Sequence, residues 1–274
     1  MQTLKKLIDN QHKTNFNQFY DDRKNNQQNT FFDQTSLTRG YNGTAGNDVI
    51  SGQYDEMNTI NGFDGNDVLT GANLADILSG GKGNDWLYGN EGNNTLYGGD
   101  GDDYLIGGSG DEELHGDDGN DTIWAGSGND RIETGNGSDS VFAGGGTDII
   151  SSSNLDDAND FIDGGDGNDT VILNIDQNTL WTRFYFTKIG SNEFALTSIL
   201  TGEIDHYKNI EYFYTATDRK TIKISDILLS PDLSSSYLRQ SMAGLSTNLS
   251  SESEFIKLEN ADTNIIQITN SKTF

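Results

Sequence analysis

The chain has no cysteine, a single proline (Pro231) and three histidines in 274 residues. Without cysteine there is neither a disulfide framework nor a thiolate nucleophile, which suits an exported chain stapled by ions instead. His12, His115 and His206 stand in unlike segments, so each reads as a solvated or locally bonded side chain rather than a metal ligand. No apolar run of about eighteen residues occurs, so no transmembrane helix is expected. No apolar stretch of about seven to fifteen residues follows the N-terminal Lys5 and Lys6, so a Sec-type signal peptide is not expected either. Basic residues are scarce, 17 Lys and Arg against 43 Asp and Glu for a net charge of −26, which leaves no basic patch for nucleic acid. There is no P-loop, no Gly-x-Ser-x-Gly nucleophile elbow and no His-Glu-x-x-His helix. About forty residues ahead of the first repeat are too few for a catalytic domain, so the chain is not expected to be an enzyme.

What the chain has in abundance is a nine-residue repeat. Its clearest copy is GGKGNDWLY at 80–88; GNEGNNTLY at 89–97, GGDGDDYLI at 98–106 and GGDGNDTVI at 164–172 follow the same pattern. A fixed period decides the architecture before any propensity argument does. With the register set on the acidic residue two places before an aliphatic, that position is held by Asp48, Asn58, Asp67, Asp76, Asp85, Asn94, Asp103, Glu112, Asp121, Asp130, Asp139, Asp148, Asp160 and Asp169. All steps are nine residues, except ten after Asp48 and twelve after Asp148. The aliphatic runs without a gap from Ile50 to Val171, which random polar sequence would not achieve.

The Gly-Gly-x-Gly-x-Asp half must turn sharply, and the x-aliphatic-x half is extended, with the aliphatic pointing one way and its neighbours the other. Two repeats, eighteen residues, make one coil of a flattened parallel solenoid with aliphatic ladders inside. A core one residue wide needs help, and the carboxylates indicate its nature. Between 41 and 170 there are 27 Asp and Glu against Lys82 and Arg131, so a local charge of −25 carries nearly the whole excess. A stacked array of carboxylates needs a counter-charge, and Ca²⁺ accepts carboxylate and backbone carbonyl oxygens in flexible geometry.

The repeat resembles the calcium-binding nonapeptide of the RTX (repeats-in-toxin, haemolysin-type) family over about 130 of the 274 residues. The resemblance implies an all-β fold, a right-handed parallel β-roll of eighteen residues per coil with a β-rich C-terminal cap, holding several Ca²⁺ ions. The expected ligands are Asp48, Asp67, Asp76, Asp85, Asp103, Asp121, Asp130, Asp139, Asp148, Asp160 and Asp169. It also implies a secreted, extracellular protein passed through a type I (ABC) exporter. The expected division is an N-terminal flanking segment over 1–40, with Phe31 and Phe32 near its end, the roll over 41–175, the cap over 176–230, and a secretion tail over 231–274. From Val171, where the period stops, VILNI (171–175), TRFYFTK (182–188), NEFALTSI (192–199), IEYFYTA (210–216) and TIKISDIL (221–228) read as strands.

Sorting by eighteen separates two edges. The first stacks Asp48, Asp67, Asp85, Asp103, Asp121, Asp139 and Asp160; the second stacks Asn58, Asp76, Asn94, Glu112, Asp130, Asp148 and Asp169. The first is expected to fill with calcium along its length, the second to weaken at Asn94, which lacks the charge, and at Glu112, which is a methylene longer. The twelve-residue step is expected to bulge one coil beside Asp160. The outward neighbours of the aliphatics gather aromatics on one face: Trp86, Tyr88, Tyr104, Trp124 and Phe142. Such a stripe is covered by the chain's own ends or binds a ligand, for instance a polysaccharide or cell-surface sugar. The function expected is a binding or adhesion module, with an accessory or targeting module for a separately encoded enzyme or toxin as the alternative.

Overall fold

A computed structural model describes residues 38–152 and 158–229. The flanking segment before Thr38 with Phe31 and Phe32, the inserted residues 153–157 and the tail from 230 onward lie outside the described residues.

The short extended halves of the repeat become two stacks of strands. One consists of β2 (Val49–Ser51), β4 (Val68–Thr70), β6 (Trp86–Glu91), β8 (Tyr104–Ser109), β10 (Thr122–Ser127), β12 (Ser140–Gly146) and β14 (Phe161–Gly167). The other consists of β1 (Thr38–Asn42), β3 (Met57–Asp64), β5 (Ile77–Lys82), β7 (Thr95–Asp100), β9 (Glu113–Asp118), β11 (Arg131–Glu133), β13 (Ile149–Ser152) and β15 (Thr170–Leu173). Every pairing within these two stacks is parallel, and consecutive strands alternate between them, so the chain winds as a roll. Trp86 pairs with Tyr104 and Ile77 with Thr95, both eighteen residues apart. The twelve-residue step is absorbed as a longer offset, Val141 pairing with Ile162.

The register puts like residues on like. Leu69, Leu87, Leu105, Ile123, Val141 and Ile162 form one internal column, and Ile60, Leu78, Leu96, Leu114, Ile132, Ile150 and Val171 the other, all fully buried. Each such side chain contributes about 1.5–3 kcal/mol on burial. The columns are thin, however, and buried acidic residues lie directly beside them, so apolar burial alone does not account for the coil.

The C-terminal region differs from the expected run of strands in three places. Residues 177–183 form a helix, α1 (Gln177–Arg183), because Asp176 caps it, its carboxylate accepting the Thr179 N–H at 2.8 Å and the Thr179 hydroxyl at 2.9 Å. The strand expected from 182 therefore begins two residues later, as β16 (Phe184–Lys188). After β17 (Glu193–Ser198) comes an unanticipated strand, β18 (Ile204–Lys208), whose alternation is masked by His206 and Lys208. After β19 (Tyr212–Thr215) and β20 (Lys220–Lys223), the expected last strand ends instead as a short helix, α2 (Ile224–Leu229).

Both stacks run on into this region without a break. β18 pairs in parallel with β14, and β19 in parallel with β15, while β17, β16 and β20 add antiparallel edges. Tyr207 and Phe213 take the places of the next internal aliphatics, in register with Ile162 and Val171. With Phe194 and Phe186 they form an aromatic plug, Tyr207 and Phe213 meeting edge-on at 5.1 Å. The cap is thus a closing coil with large side chains in place of leucines.

Candidate metal centre

Most turns are shaped by glycines in a left-handed backbone that other residues adopt less easily, with Phe63, Asn90 and Asp117 taking it in three of them. Gly83 has φ of 123° and Gly101 of 131°, and the Gly83 N–H donates to the Asp100 carbonyl of the next coil at 2.7 Å. A side chain at Gly83 would run into the Gly65 carbonyl of the coil before. Glycine here lets successive turns approach closely enough for their oxygens to converge.

Asp85 shows what the turn encloses. Its Oδ1 accepts the backbone N–H of Asp67 at 2.7 Å, and its own N–H donates to Oδ1 of Asp103 at 2.7 Å. The same link joins Asp103 to Asp121 and Asp121 to Asp139, both at 2.8 Å. On the other edge Asn94, Glu112, Asp130, Asp148 and Asp169 are joined likewise. One oxygen of each carboxylate is therefore committed to the coil before it. The second oxygen has no donor: Oδ2 of Asp67, Asp85, Asp103, Asp121, Asp130, Asp139, Asp148 and Asp169, and Oε1 of Glu112, are buried without a hydrogen-bond partner. Around Gly80 the free oxygen of Asp85 and the carbonyl oxygen of Gly98 crowd the same small space, and the pattern repeats at Gly62 and Gly98.

Rows of buried acceptors facing other acceptors are unstable unless something positive lies between them. Only oxygens are on offer, one carboxylate oxygen per turn with glycine carbonyls about it. Among the described residues no three His, Cys, Asp or Glu side chains cluster as a metal site, so the backbone must supply most of the ligands. That donor set fits a hard, many-coordinate ion such as Ca²⁺ and does not fit zinc. Without an ion, burial pushes the carboxyls upward: to about 6 at Asp67, Asp130 and Asp169, about 7 at Asp103, Asp139 and Glu112, and about 8 at Asp121. Burial is the largest cause in every case, with like-charged neighbours along the ladder adding to it at Asp121 and Asp103.

The expected ligands are not alike in the structure. Of the eleven aspartates, Asp76 and Asp160 have both oxygens hydrogen-bonded, and Asp48 has its Oδ2 taken. Oδ2 of Asp48 accepts from the Thr44 N–H and hydroxyl, that of Asp76 from the Ala72 N–H, and that of Asp160 from the Ser152 hydroxyl at 2.9 Å. Glu112, expected to break its ladder, keeps the same link and the same free oxygen as the aspartates; its extra methylene is taken up within the turn. Asn58 and Asn94 close their turns with their own amide N–H groups, to the carbonyls of Glu56 at 2.9 Å and Gly92 at 3.2 Å.

Two members of the ladders were missed. Asp205 accepts the Asp160 N–H at 3.1 Å, and Glu211 accepts the Asp169 N–H at 2.8 Å. Each is the final rung of one edge, supplied by the cap. They are only six residues apart, so the nine-residue period hides them. A third set went unremarked: the residue before each ladder position, usually Asn, runs a solvent-side ladder in the opposite direction. Asn47 accepts from the Asn66 N–H, Asn66 from that of Asn84, and Asn84 from that of Asp102. The recurring Gly-Asn-Asp spelling carried this signal.

The five aromatics expected on one face do share it. Trp86 stacks on Tyr104 at 4.3 Å and Trp124 on Phe142 at 4.1 Å, while Tyr88 lies 6.3 Å from Trp86. Tyr88, Ile106, Trp124 and Phe142 form one column in register. Because the rings stack from coil to coil, their faces lie largely against one another and their edges point outward. The described part of the cap extends the end of the roll; along the columns Tyr104 is exposed and Trp86, Tyr88, Trp124 and Phe142 are half-buried.

The chain is matched by the sequence profile described as RTX calcium-binding nonapeptide repeat (4 copies), at residues 41–55, 58–78, 70–105, 106–141, 115–150, 124–158 and 155–180. These spans cover about half of the chain. Among solved structures, it is similar to the crystal structure of the extracellular lipase LipA from Serratia marcescens, at 19% identity and a TM-score of 0.19. That alignment covers 65% of this chain and 38% of the lipase chain. No curated protein matches.

Proposed function

Because the chain belongs to the RTX calcium-binding nonapeptide repeat family, we propose that it is a secreted protein whose roll assembles on calcium outside the cell and there acts as a binding or adhesion module. The observation that carries this reading is the double row of buried carboxylate oxygens without donors, from Asp67 to Asp169. Calcium bound there supplies positive charge and accepts carbonyl and carboxylate oxygens together. The chain's part is to present one oxygen per turn, fix it by the N–H link to the neighbouring coil, and exclude water with the aliphatic columns. At the low calcium of a cytosol the −25 block repels itself, which suits passage through a type I exporter with 231–274 as the signal. At about 10⁻⁴–10⁻³ M calcium, the range of extracellular modules, binding free energy becomes folding free energy. Among the described residues no helix is long and apolar enough to cross a membrane.

The test is far-UV circular dichroism of the purified chain, titrated with CaCl₂ from chelator to about 10 mM, with MgCl₂ in parallel. A cooperative gain of β-structure specific to calcium is expected; a chain already folded in chelator would sink the mechanism.

The surface this reading assigns to a ligand is the pair of aromatic columns. With the ring faces engaged on one another, a saccharide would meet edges and the grooves between stacked pairs. Trp86→Ala combined with Trp124→Ala is expected to abolish retention on a panel of immobilised anionic and neutral polysaccharides while leaving the calcium-induced circular dichroism change in place. Loss of that change as well would make the columns structural.

A further inference from the structure

The first residue of each repeat decides what its turn does with the free carboxylate oxygen. In the turns ending at Asp67, Asp85, Asp103 and Asp121 that residue is Gly62, Gly80, Gly98 and Gly116, and any side chain there would collide with the Oδ2 of the same turn. Further along the chain the glycine is replaced. Ala125 and Ala143 stand in the turns of Asp130 and Asp148, Thr134 in that of Asp139, and Ser152 in that of Asp160; all four replacements are buried.

The replacements have opposite consequences. A methyl group gives the carboxylate nothing, and Oδ2 of Asp130 and of Asp148 stays without a partner. A hydroxyl can donate. Ser152 donates to Asp160 Oδ2 at 2.9 Å. Thr134 stands near Asp139, yet neither Thr134 Oγ1 nor Asp139 Oδ2 has a hydrogen-bond partner among the described residues. At the opposite end the Thr44 hydroxyl donates to Asp48 Oδ2 at 2.9 Å. Among the described residues both donating hydroxyls lie on the first edge, one at each end, and none lies on the second.

We propose that in the turns of Asp48 and Asp160 a side-chain hydroxyl takes the place of a calcium ion, so that the first edge loads calcium only between its ends, from Asp67 to Asp139. This rests on the calcium reading above and corrects the expectation that the all-aspartate edge fills along its whole length. A hydroxyl donor is neutral and is present at every calcium concentration. The two ends of this edge are therefore closed before any ion arrives, and the ions are confined to the stretch between them.

The number of calcium ions bound per chain, counted by native mass spectrometry and by equilibrium dialysis with ⁴⁵Ca²⁺, decides the matter. Ser152→Ala converts its turn to the type found at Ala125 and is expected to take up one ion more than the wild type. Gly98→Ser introduces a hydroxyl beside Asp103 and is expected to bind one fewer. Circular dichroism in saturating CaCl₂ reports whether each variant folds. An unchanged count in the folded alanine variant overturns the proposal. Should that variant fail to fold, Gly98→Ser decides: a lost ion supports the proposal and an unchanged count overturns it. A wild-type chain that takes up no calcium overturns the calcium reading itself, and this proposal with it.

Discussion

Stripped of calcium and titrated from pH 8 to pH 4, the chain is expected to gain β-structure rather than lose it. The ladder carboxyls sit at about 6 to 8 in the ion-free roll, at Asp67, Asp103, Asp121, Asp130, Asp139 and Asp169, against 3.8 for an ordinary aspartate. A group whose folded value is raised binds its proton more tightly when folded. Its contribution to stability is therefore complete below about pH 4 and is lost as the pH rises through the folded values. Protonation removes the buried charge that otherwise demands an ion, and turns the free Oδ2 into a donor that can reach the neighbouring carbonyl. This is the reverse of ordinary acid denaturation, which breaks carboxylates already paired in the native state. In calcium the sign of the competition changes. Protons and calcium contend for the same oxygens, so the calcium midpoint is expected to rise as the pH falls from 8 to 6. Circular dichroism against pH, with chelator and with about 5 mM CaCl₂, reads both effects. An ion-free chain that remains a coil at pH 4 would mean that the carboxylates do not limit folding.

The second large effect concerns the cap. Asp205→Ala and Glu211→Ala each remove the acceptor for a buried ladder N–H, that of Asp160 or Asp169. Each should cost about 1–3 kcal/mol, the range for a buried backbone donor left unsatisfied. Shared over the ions that bind cooperatively, the loss in the double variant is expected to raise the calcium midpoint about two- to fivefold. The direction is the informative part. Removing negative charge from a strongly acidic chain eases its self-repulsion, which on its own would lower the calcium requirement. Asp226→Ala removes an exposed charge at the same end and is the control: it should leave the midpoint unchanged or lower it. If all the variants move together, Asp205 and Glu211 act as bulk charge and not as the last rungs of the ladders.

The period of the repeat and the oxygen-rich, glycine-rich turn were enough to place the parallel roll and its internal columns from Ile50 to Val171. Physically this is because a nine-residue unit can bury its one aliphatic only by stacking on copies of itself, and identical units stack in only one register. The cap was less legible. Asp176 carries a recognisable helix-capping signal, yet the aromatic and β-branched residues after it favoured strands everywhere. The strand at 204–208 was hidden by polar residues on its outer face. Its role, and that of Glu211, follows from alignment with Asp160 and Asp169 in space, which no period in the chain announces.

By itself, then, the sequence determined the architecture, the two edges, the one-sided gathering of aromatics, and the choice of a hard cation over disulfides or softer metals. It determined these because each is a property of spacing or of residue type. Only the tertiary structure decided how each carboxylate divides its two oxygens, one to the neighbouring coil and one left without a donor or taken by a hydroxyl or an amide. That division depends on what lies opposite: a glycine carbonyl beside Asp85, the Ser152 hydroxyl beside Asp160, the Ala72 N–H beside Asp76. An aspartate at the same place in every repeat has the same chemistry in the sequence, and the atoms that the fold brings within reach of its second oxygen give it a different task.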